Sequence, residues 1–350
     1  MSRGGRGRPP SPAYRPATPA DLAACTRVWW AGLNDYLSRL NAAEGLSTDL
    51  ATVQRLYEHL LETDPSAFWV AVRPAPGSGS TDSAGVGADQ AAGRGQAASR
   101  GDGDQVVGFG SAVTRGPVWF LSMLFVDPGE QASGIGSELL RRTMAAAPDA
   151  PIRATVTDAA QPISNALYAR EGIVPRVPLY RMVGRPDRPG SIGQLPEGIS
   201  ATPFDSLVRE AASFEEGHRL LADLVGLIDE AALGYAHPAD HAHLRREARV
   251  GYLYRGSDGR PVGYAYTSVV GRVGPIAALD ERLIPPLVGH VLEAVRPAGA
   301  SALWVPGSAG PLFSGLLRAG FHLDGFPTLL CWSAPFADFA RYLPASPGLL

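Results

Sequence analysis

With 350 residues, 45% of them apolar, the chain is long enough to build one or two packed domains. A formal net charge of −3 gives it no global attraction to nucleic acid or to anionic membranes, and no apolar run is long enough to span a bilayer. It contains no lysine, which excludes a P-loop nucleotide site and a lysine Schiff base with pyridoxal phosphate, and its two cysteines, Cys25 and Cys331, are too few for a disulfide framework and indicate a reducing, cytoplasmic compartment.

Residues 1–12 read as a basic arm, rich in Arg and Gly, with no apolar segment behind the charges to make a signal peptide. A strand near 14–17 precedes a helix over 19–40, where Leu22, Val28, Trp29 and Leu33 stand at helical spacing. A second helix covers 48–62. Strands follow at 67–73, 105–114 and 118–126. Residues 74–106, almost without large apolar side chains, form an inflated hairpin loop between the first two of these strands. A helix over 134–147, a strand over 152–157, a helix over 162–171 closed by Gly172, and a strand over 179–184 complete the first unit, residues 13–184. A Pro- and Gly-rich linker, 185–197, leads to the second unit, 198–350.

The second unit repeats the first. Ala17-Thr-Pro-Ala-Asp-Leu22 returns as Ala201-Thr-Pro-Phe-Asp-Ser-Leu207, Phe68-Trp-Val-Ala-Val-Arg73 as Gly251-Tyr-Leu-Tyr-Arg255, Val107-Gly-Phe-Gly110 as Val262-Gly-Tyr-Ala265, and Leu167-Tyr-Ala-Arg-Glu-Gly-Ile173 as Gly315-Leu-Leu-Arg-Ala-Gly-Phe321. Each Thr-Pro pair predicts a capped helix start, with Thr18 and Thr202 as the caps.

The strongest chemical signal is the passage from the strand ending Leu124-Phe125-Val126, through a loop with Gln131, Gly134 and Gly136 in the order Q-x-x-G-x-G, into a helix. The first turn of a helix leaves amides without acceptors, and the helix dipole favours an anion there. Glycines let a phosphate approach the backbone. A pyrophosphate is the expected ligand. The dinucleotide fingerprint would need a third glycine, which is absent, so coenzyme A fits best.

This stretch resembles the acyl-CoA-binding motif of the GNAT superfamily of N-acetyltransferases. A second resemblance lies in Gln161-Pro-Ile-Ser-Asn-Ala-Leu-Tyr-Ala-Arg-Glu-Gly172. There Ser164, Leu167, Tyr168, Arg170 and Gly172 match the family pattern, while Gln161 and Ile173 replace its Asn and Phe. The resemblance implies an α/β fold (α+β, with a mixed sheet) of two tandem GNAT-like domains, in which two mid-chain strands splay to admit pantetheine. It implies acetyl-CoA as co-substrate, its pyrophosphate held by Gln131, Ala132, Ser133, Gly134, Ile135, Gly136 and Ser137, and its pantetheine paired along Leu124, Phe125 and Val126. Tyr168 would be the general acid. The acceptor would be a primary amine of a small molecule or peptide, with no metal, membrane or nucleic-acid partner; a homodimer is compatible with this reading. The alternative is a non-catalytic acyl-CoA-binding sensor or interaction protein.

In the second unit the corresponding region, residues 277–290, has lost the glycine loop and carries Pro285 and Pro286, which offer no N–H, and Leu316 stands where the first copy has Tyr168. A degenerate domain is expected. No carboxylate lies on the 118–126 strand, so the candidate bases are a water relay through Ser122, or Asp35 or Glu44. Arg141, Arg142 and Arg170 could meet a 3′-phosphate but read as a solvated face. Trp29 and Trp30 sit where the family lines its acceptor pocket. His237, His241 and His243 have a spacing a metal could use, on what reads as a surface helix start. The cradle is expected to work within residues 1–190 alone.

Overall fold

The computed structural model describes residues 11–40, 49–74, 104–186 and 188–350. Most of the basic arm, most of the expected 74–106 loop, and Glu44 lie outside them. In the first half of the chain, β1 (Ala13–Pro16), α1 (Leu22–Arg39), α2 (Leu50–Thr63), β2 (Phe68–Pro74), β3 (Asp104–Arg115), β4 (Val118–Val126), α3 (Ile135–Ala145), β5 (Ile152–Asp158), α4 (Pro162–Arg170) and β6 (Val174–Gly184) follow one another. The second half contains β7 (Ser200–Pro203), α5 (Phe204–Glu210), α6 (Phe214–Leu233), α7 (Pro238–Arg246), β8 (Val250–Arg255), β9 (Pro261–Thr267), β10 (Arg272–Val273), β11 (Ile276–Ala278), α8 (Ile284–Ala294), β12 (Ser301–Pro306), α9 (Gly310–Arg318), β13 (His322–Leu323), β14 (Thr328–Trp332) and β15 (Tyr342–Leu343).

Among the described residues these strands make two sheets. The larger runs β1-β2-β3-β4-β5-β14-β6-β12-β10, with β13 also on β6; the smaller runs β15-β11-β9-β8-β7. The halves interlock. β14, from near the end of the chain, lies antiparallel between β5 and β6. The far half of β6, Leu179–Gly184, pairs with β12 of the second half. One hydrophobic cluster likewise runs from Phe68 and Phe109 to Leu253, Tyr264 and Tyr342.

Two boundaries differ from expectation for local reasons. β6 begins at Val174 rather than 179. Pro175 and Pro178 hid its first half, because a residue without N–H reads as a strand breaker. Both prolines lie opposite β14, Pro175 beside Cys331, where the register shifts. Thr18 does cap a helical turn, but Thr202 lies within β7 and Pro203 precedes the helix.

A buried ionic seam joins the halves. Arg115 at the end of β3 donates from Nε and Nη2 to Asp240 of α7, 2.9 Å each, and from Nη1 to Asp64 at 2.8 Å. His59 Nε2 of α2 lies 2.7 Å from Asp240 Oδ1, and its ring stacks on His243. His237, His241 and His243 are therefore core residues, not the surface helix start that the sequence suggested. The reason is tertiary: the partners that exclude water come from α2, β3 and α6. Removing one member of a buried pair strands the other charge, at about 3–5 kcal/mol. Arg115→Met is expected to cost about that much in the denaturant midpoint; a loss under ~1 kcal/mol would mean that water reaches Asp240.

Candidate functional site

The site begins with a break in the sheet. β4 and β5 run parallel and paired only from Val118–Ile152 to Leu121–Thr155. Thr155 Oγ1 donates to Leu121 O (2.9 Å) at the last paired rung. On the other edge of β4, Ser111 opposes Met123 while Ala112 opposes Leu121, leaving Ser122 as a bulge. Bulges bend a strand and increase its twist, and here the bulge falls where β4 leaves β5. Leu124, Phe125 and Val126 remain paired with β3 on one side, while their other edge faces the split. All three are half-buried.

At the end of β4 the chain enters the glycine loop. Asp127 Oδ1 accepts from Gly129 N (2.9 Å), and Arg73 of β2 grips Glu130 through two bonds of 2.8 Å. Gln131 Nε2 donates back to Val126 O (3.2 Å), and Ser133 Oγ donates to Glu130 O. Ala132 and Gly134 both take positive φ, +60° and +90°. Gly134 is the N-cap of α3, a left-handed position that glycine adopts without the strain of a Cβ. The amide of Glu138 donates to Gly134 O at 3.1 Å, and among the described residues no acceptor within normal hydrogen-bond geometry stands against the backbone amides of residues 131–137. Open space adjoins them. A Cβ on Gly134 would meet nothing within 4 Å, and on Gly136 only Val126 Cγ2 at 3.8 Å. α3 is seated by Ile135 and Leu139, which pack close against Gly108, with Leu139 and Thr143 against Gly110 of β3.

Tyr168, on α4, is 5% exposed and packs with Leu121, Leu140 and Cys331, the last contributed by β14. Burial, with a smaller effect from Cys331, raises its phenol above the ordinary value, so it keeps its proton at neutral pH. Burial pushes the Cys331 thiol up to about 12.

Of the candidate bases, Ser122 stands at the split and Asp35 on α1, while Glu44 lies outside the described residues. Ser122 Oγ donates to Gly348 O (2.6 Å) in the C-terminal segment, and Asp35 pairs with Arg39. Asp158, an acid about 20 residues past the glycine loop that reads as a loop residue in the sequence, belongs instead to a strand. It ends β5 beyond the point where β4 has left it, and burial together with this carboxylate raises the Tyr36 phenol of α1. Its signal was an acid at the end of the strand after the glycine helix. Arg141 and Arg142 both bind Glu138, and Arg142 lies over the rings of Tyr14 and Trp69. Trp29 packs edge-on against Phe125, while Trp30 packs against Trp29.

In the second half, α8 carries Pro285 and Pro286 in its first turn. The backbone of Gly193 from the linker packs against these prolines so closely that a Cβ there would lie 2.6 Å from Pro286 N. Leu316 is fully buried.

The site is thus a mixed sheet split between two parallel strands, with a glycine loop and a helix start at the mouth of the split. Residues 53–173 match the acetyltransferase (GNAT) family. The fold is shared by a proposed acetyltransferase from Pyrococcus horikoshii (15% identity, TM-score 0.63, covering 98% of this chain and 96% of that one) and by a GCN5-related N-acetyltransferase from Sphaerobacter thermophilus (17%, 0.57, 95% and 100%). It is also shared by a tandem GNAT protein from the clavulanic acid biosynthesis pathway (15%, 0.51, 93% and 99%). The present chain is accordingly two tandem GNAT-like folds. No curated protein matches it in sequence. Among the described residues no helix is long and apolar enough to cross a membrane.

Proposed function

We propose that this protein moves an acetyl group from acetyl-CoA to a primary amine of a small molecule or peptide. The observation that carries the reading is the loop of residues 131–137, whose amides meet no well-directed acceptor among the described residues, beside the split between β4 and β5. Converging amides at a helix start suit a pyrophosphate, and the open space at Gly134 and Gly136 suits its close approach. The free edge of Leu124, Phe125 and Val126 suits the pantetheine amides and can polarise the thioester carbonyl. Tyr168 then donates the proton that the departing thiolate takes up, and Asp158 is the carboxylate that can orient the amine. The first domain, residues 13–184, is the catalytic one. The second, residues 198–350, is degenerate, since Pro285, Pro286 and the overlying Gly193 close the place where its cradle would lie.

The cradle is tested by Gly136→Asp. A Cβ fits there, so the fold is expected to survive. A carboxylate among the amides would repel the diphosphate, at about 4 kcal/mol for unit charges 4 Å apart in a partly screened site. Calorimetry is expected to show acetyl-CoA affinity reduced by at least about 100-fold; unchanged affinity would remove the loop from the binding site. Turnover is tested by thiol release on a panel of small amines and peptides.

One observation favours the alternative of a non-catalytic acyl-CoA sensor. Gly348 lies against Ser122 and Met123 at the bulge, so the C-terminal segment lies where an acceptor would approach. Stoichiometric acetyl-CoA binding without acetylation of any amine in the panel would decide for that reading.

A further inference from the structure

A second cluster lies away from the cradle, where α6 meets α7. Asp229 is on α6, His237 is the N-cap residue just before α7, and His241 stands one turn further on. All three are buried, and one ligand atom from each falls within 4.8 Å of the others. They line a cleft of about 380 Å³, walled by Gly226, Leu227 and Ala236. His237 is 1% exposed, and each of its ring nitrogens stands 3.4 Å from a carboxylate oxygen, Nε2 from Asp229 and Nδ1 from Asp240, without a well-directed hydrogen bond. Buried polar atoms are rarely left so without a reason.

The distances suit coordination better than hydrogen bonding. His237 Nε2 stands 3.4 Å from Asp229 Oδ2. A tetrahedral ion with bonds of about 2.0–2.1 Å holds its ligands about 3.3 Å apart. Each ligand also has an outer partner on its far side. Tyr264 O–H donates to Asp229 Oδ1 at 2.7 Å, leaving Oδ2 for an ion. His241 Nδ1 lies 3.0 Å from Tyr266 Oη. His237 Nδ1 faces Asp240 Oδ2 at 3.4 Å, and Asp240 is fixed by Arg115 and His59. Such outer partners orient ligand rings and set their tautomers.

We propose that Asp229, His237 and His241 form a binding site for a divalent transition-metal ion of the zinc class, with the fourth position open to the cleft. Two histidines and a carboxylate with one open position are a donor set that zinc takes. His241 Nε2 now lies 2.8 Å from Asp229 Oδ2, and this contact opens when the ion enters. For the ion to bind, Nε2 of each histidine must be without its proton: His241 keeps one at Nδ1, donated to Tyr266 Oη, His237 keeps one at Nδ1, facing Asp240 Oδ2, and any second ring proton is released to solvent. The sequence reading expected no metal, because the spacing alone showed neither the burial nor Asp229. Bound there, the ion ties α6 to α7 directly behind the Arg115–Asp240 seam, and so stiffens the junction of the two halves.

The test uses the full-length chain, stripped with a chelator and titrated with Zn(II) by calorimetry and with Co(II) by visible absorption. One equivalent is expected per chain, with the intense visible bands of tetrahedral cobalt and a rise in unfolding temperature when Zn(II) is in excess. His237→Gln and Asp229→Asn are each expected to weaken uptake by at least about 100-fold, while His322→Gln, at an exposed histidine, leaves it unchanged. Absence of stoichiometric uptake by the unaltered chain would overturn the proposal and leave a network of hydrogen bonds only. Uptake undiminished in both ligand variants would overturn it as well, by placing the ion elsewhere. Should Asp229→Asn fail to fold, His237→Gln and the cobalt spectrum of the unaltered chain still decide.

Discussion

A chain ended at residue 197 is expected not to fold. The first half contributes β5 and β6 but not β14, which pairs with both over five residue positions each. Without it two interior strand edges open to water, and Leu330 and Cys331, each about 1% exposed, leave the core. A fully buried Leu is worth about 1.5–3 kcal/mol, and each buried backbone group left unbonded costs about 1–3 kcal/mol. Several such groups are lost together, against a total stability of about 5–15 kcal/mol for a typical domain. The Arg115–Asp240 seam and the shared hydrophobic cluster are lost with them. The fragment is therefore expected to show no cooperative melting and no acetyl-CoA binding, whereas co-expression with residues 198–350 restores both. A fragment that melts cooperatively on its own would show that β14 is dispensable. The expectation that residues 1–190 suffice for binding is put to the same test, since such a fragment also lacks β14.

The second large effect is expected at Tyr168. Tyr168→Phe keeps the ring in its pocket beside Leu121, Leu140 and Cys331 and removes only the hydroxyl. A positioned general acid contributes about 10²–10⁴-fold, so kcat should fall within that range. The cradle and the edge of β4 are untouched, so acetyl-CoA affinity should stay within about twofold, a difference of under half a kcal/mol. Pre-steady-state acetyl transfer separates this loss from slow product release. An unchanged rate would leave Tyr168 a core residue only. A loss of affinity equal to the loss of rate would assign the hydroxyl to binding instead.

Much of the cradle's local form was legible in the residues. The Q-x-x-G-x-G spacing gave the loop, and the left-handed Gly134 at the start of α3 is what that spacing requires. The order of strands and helices in the first half was legible as well, because periodicity and turn residues act over a few positions. The carboxylate at the split was not. Asp158 is one residue past the strand that periodicity suggested, and it stands at the split only because β4 turns away from β5 at the Ser122 bulge. The two prolines of β6 hid half of a strand that serves both halves of the molecule.

The sequence by itself determined the glycine loop with its helix, the repeat and the position of Tyr168, because these depend on backbone freedom and side-chain types within a short window. Only the tertiary structure decided that β14 fills the first half's sheet, and that Asp229, His237 and His241 meet in a buried cluster. Strand pairing and the exclusion of water are made by segments far apart along the chain, and no local pattern records which segments those are.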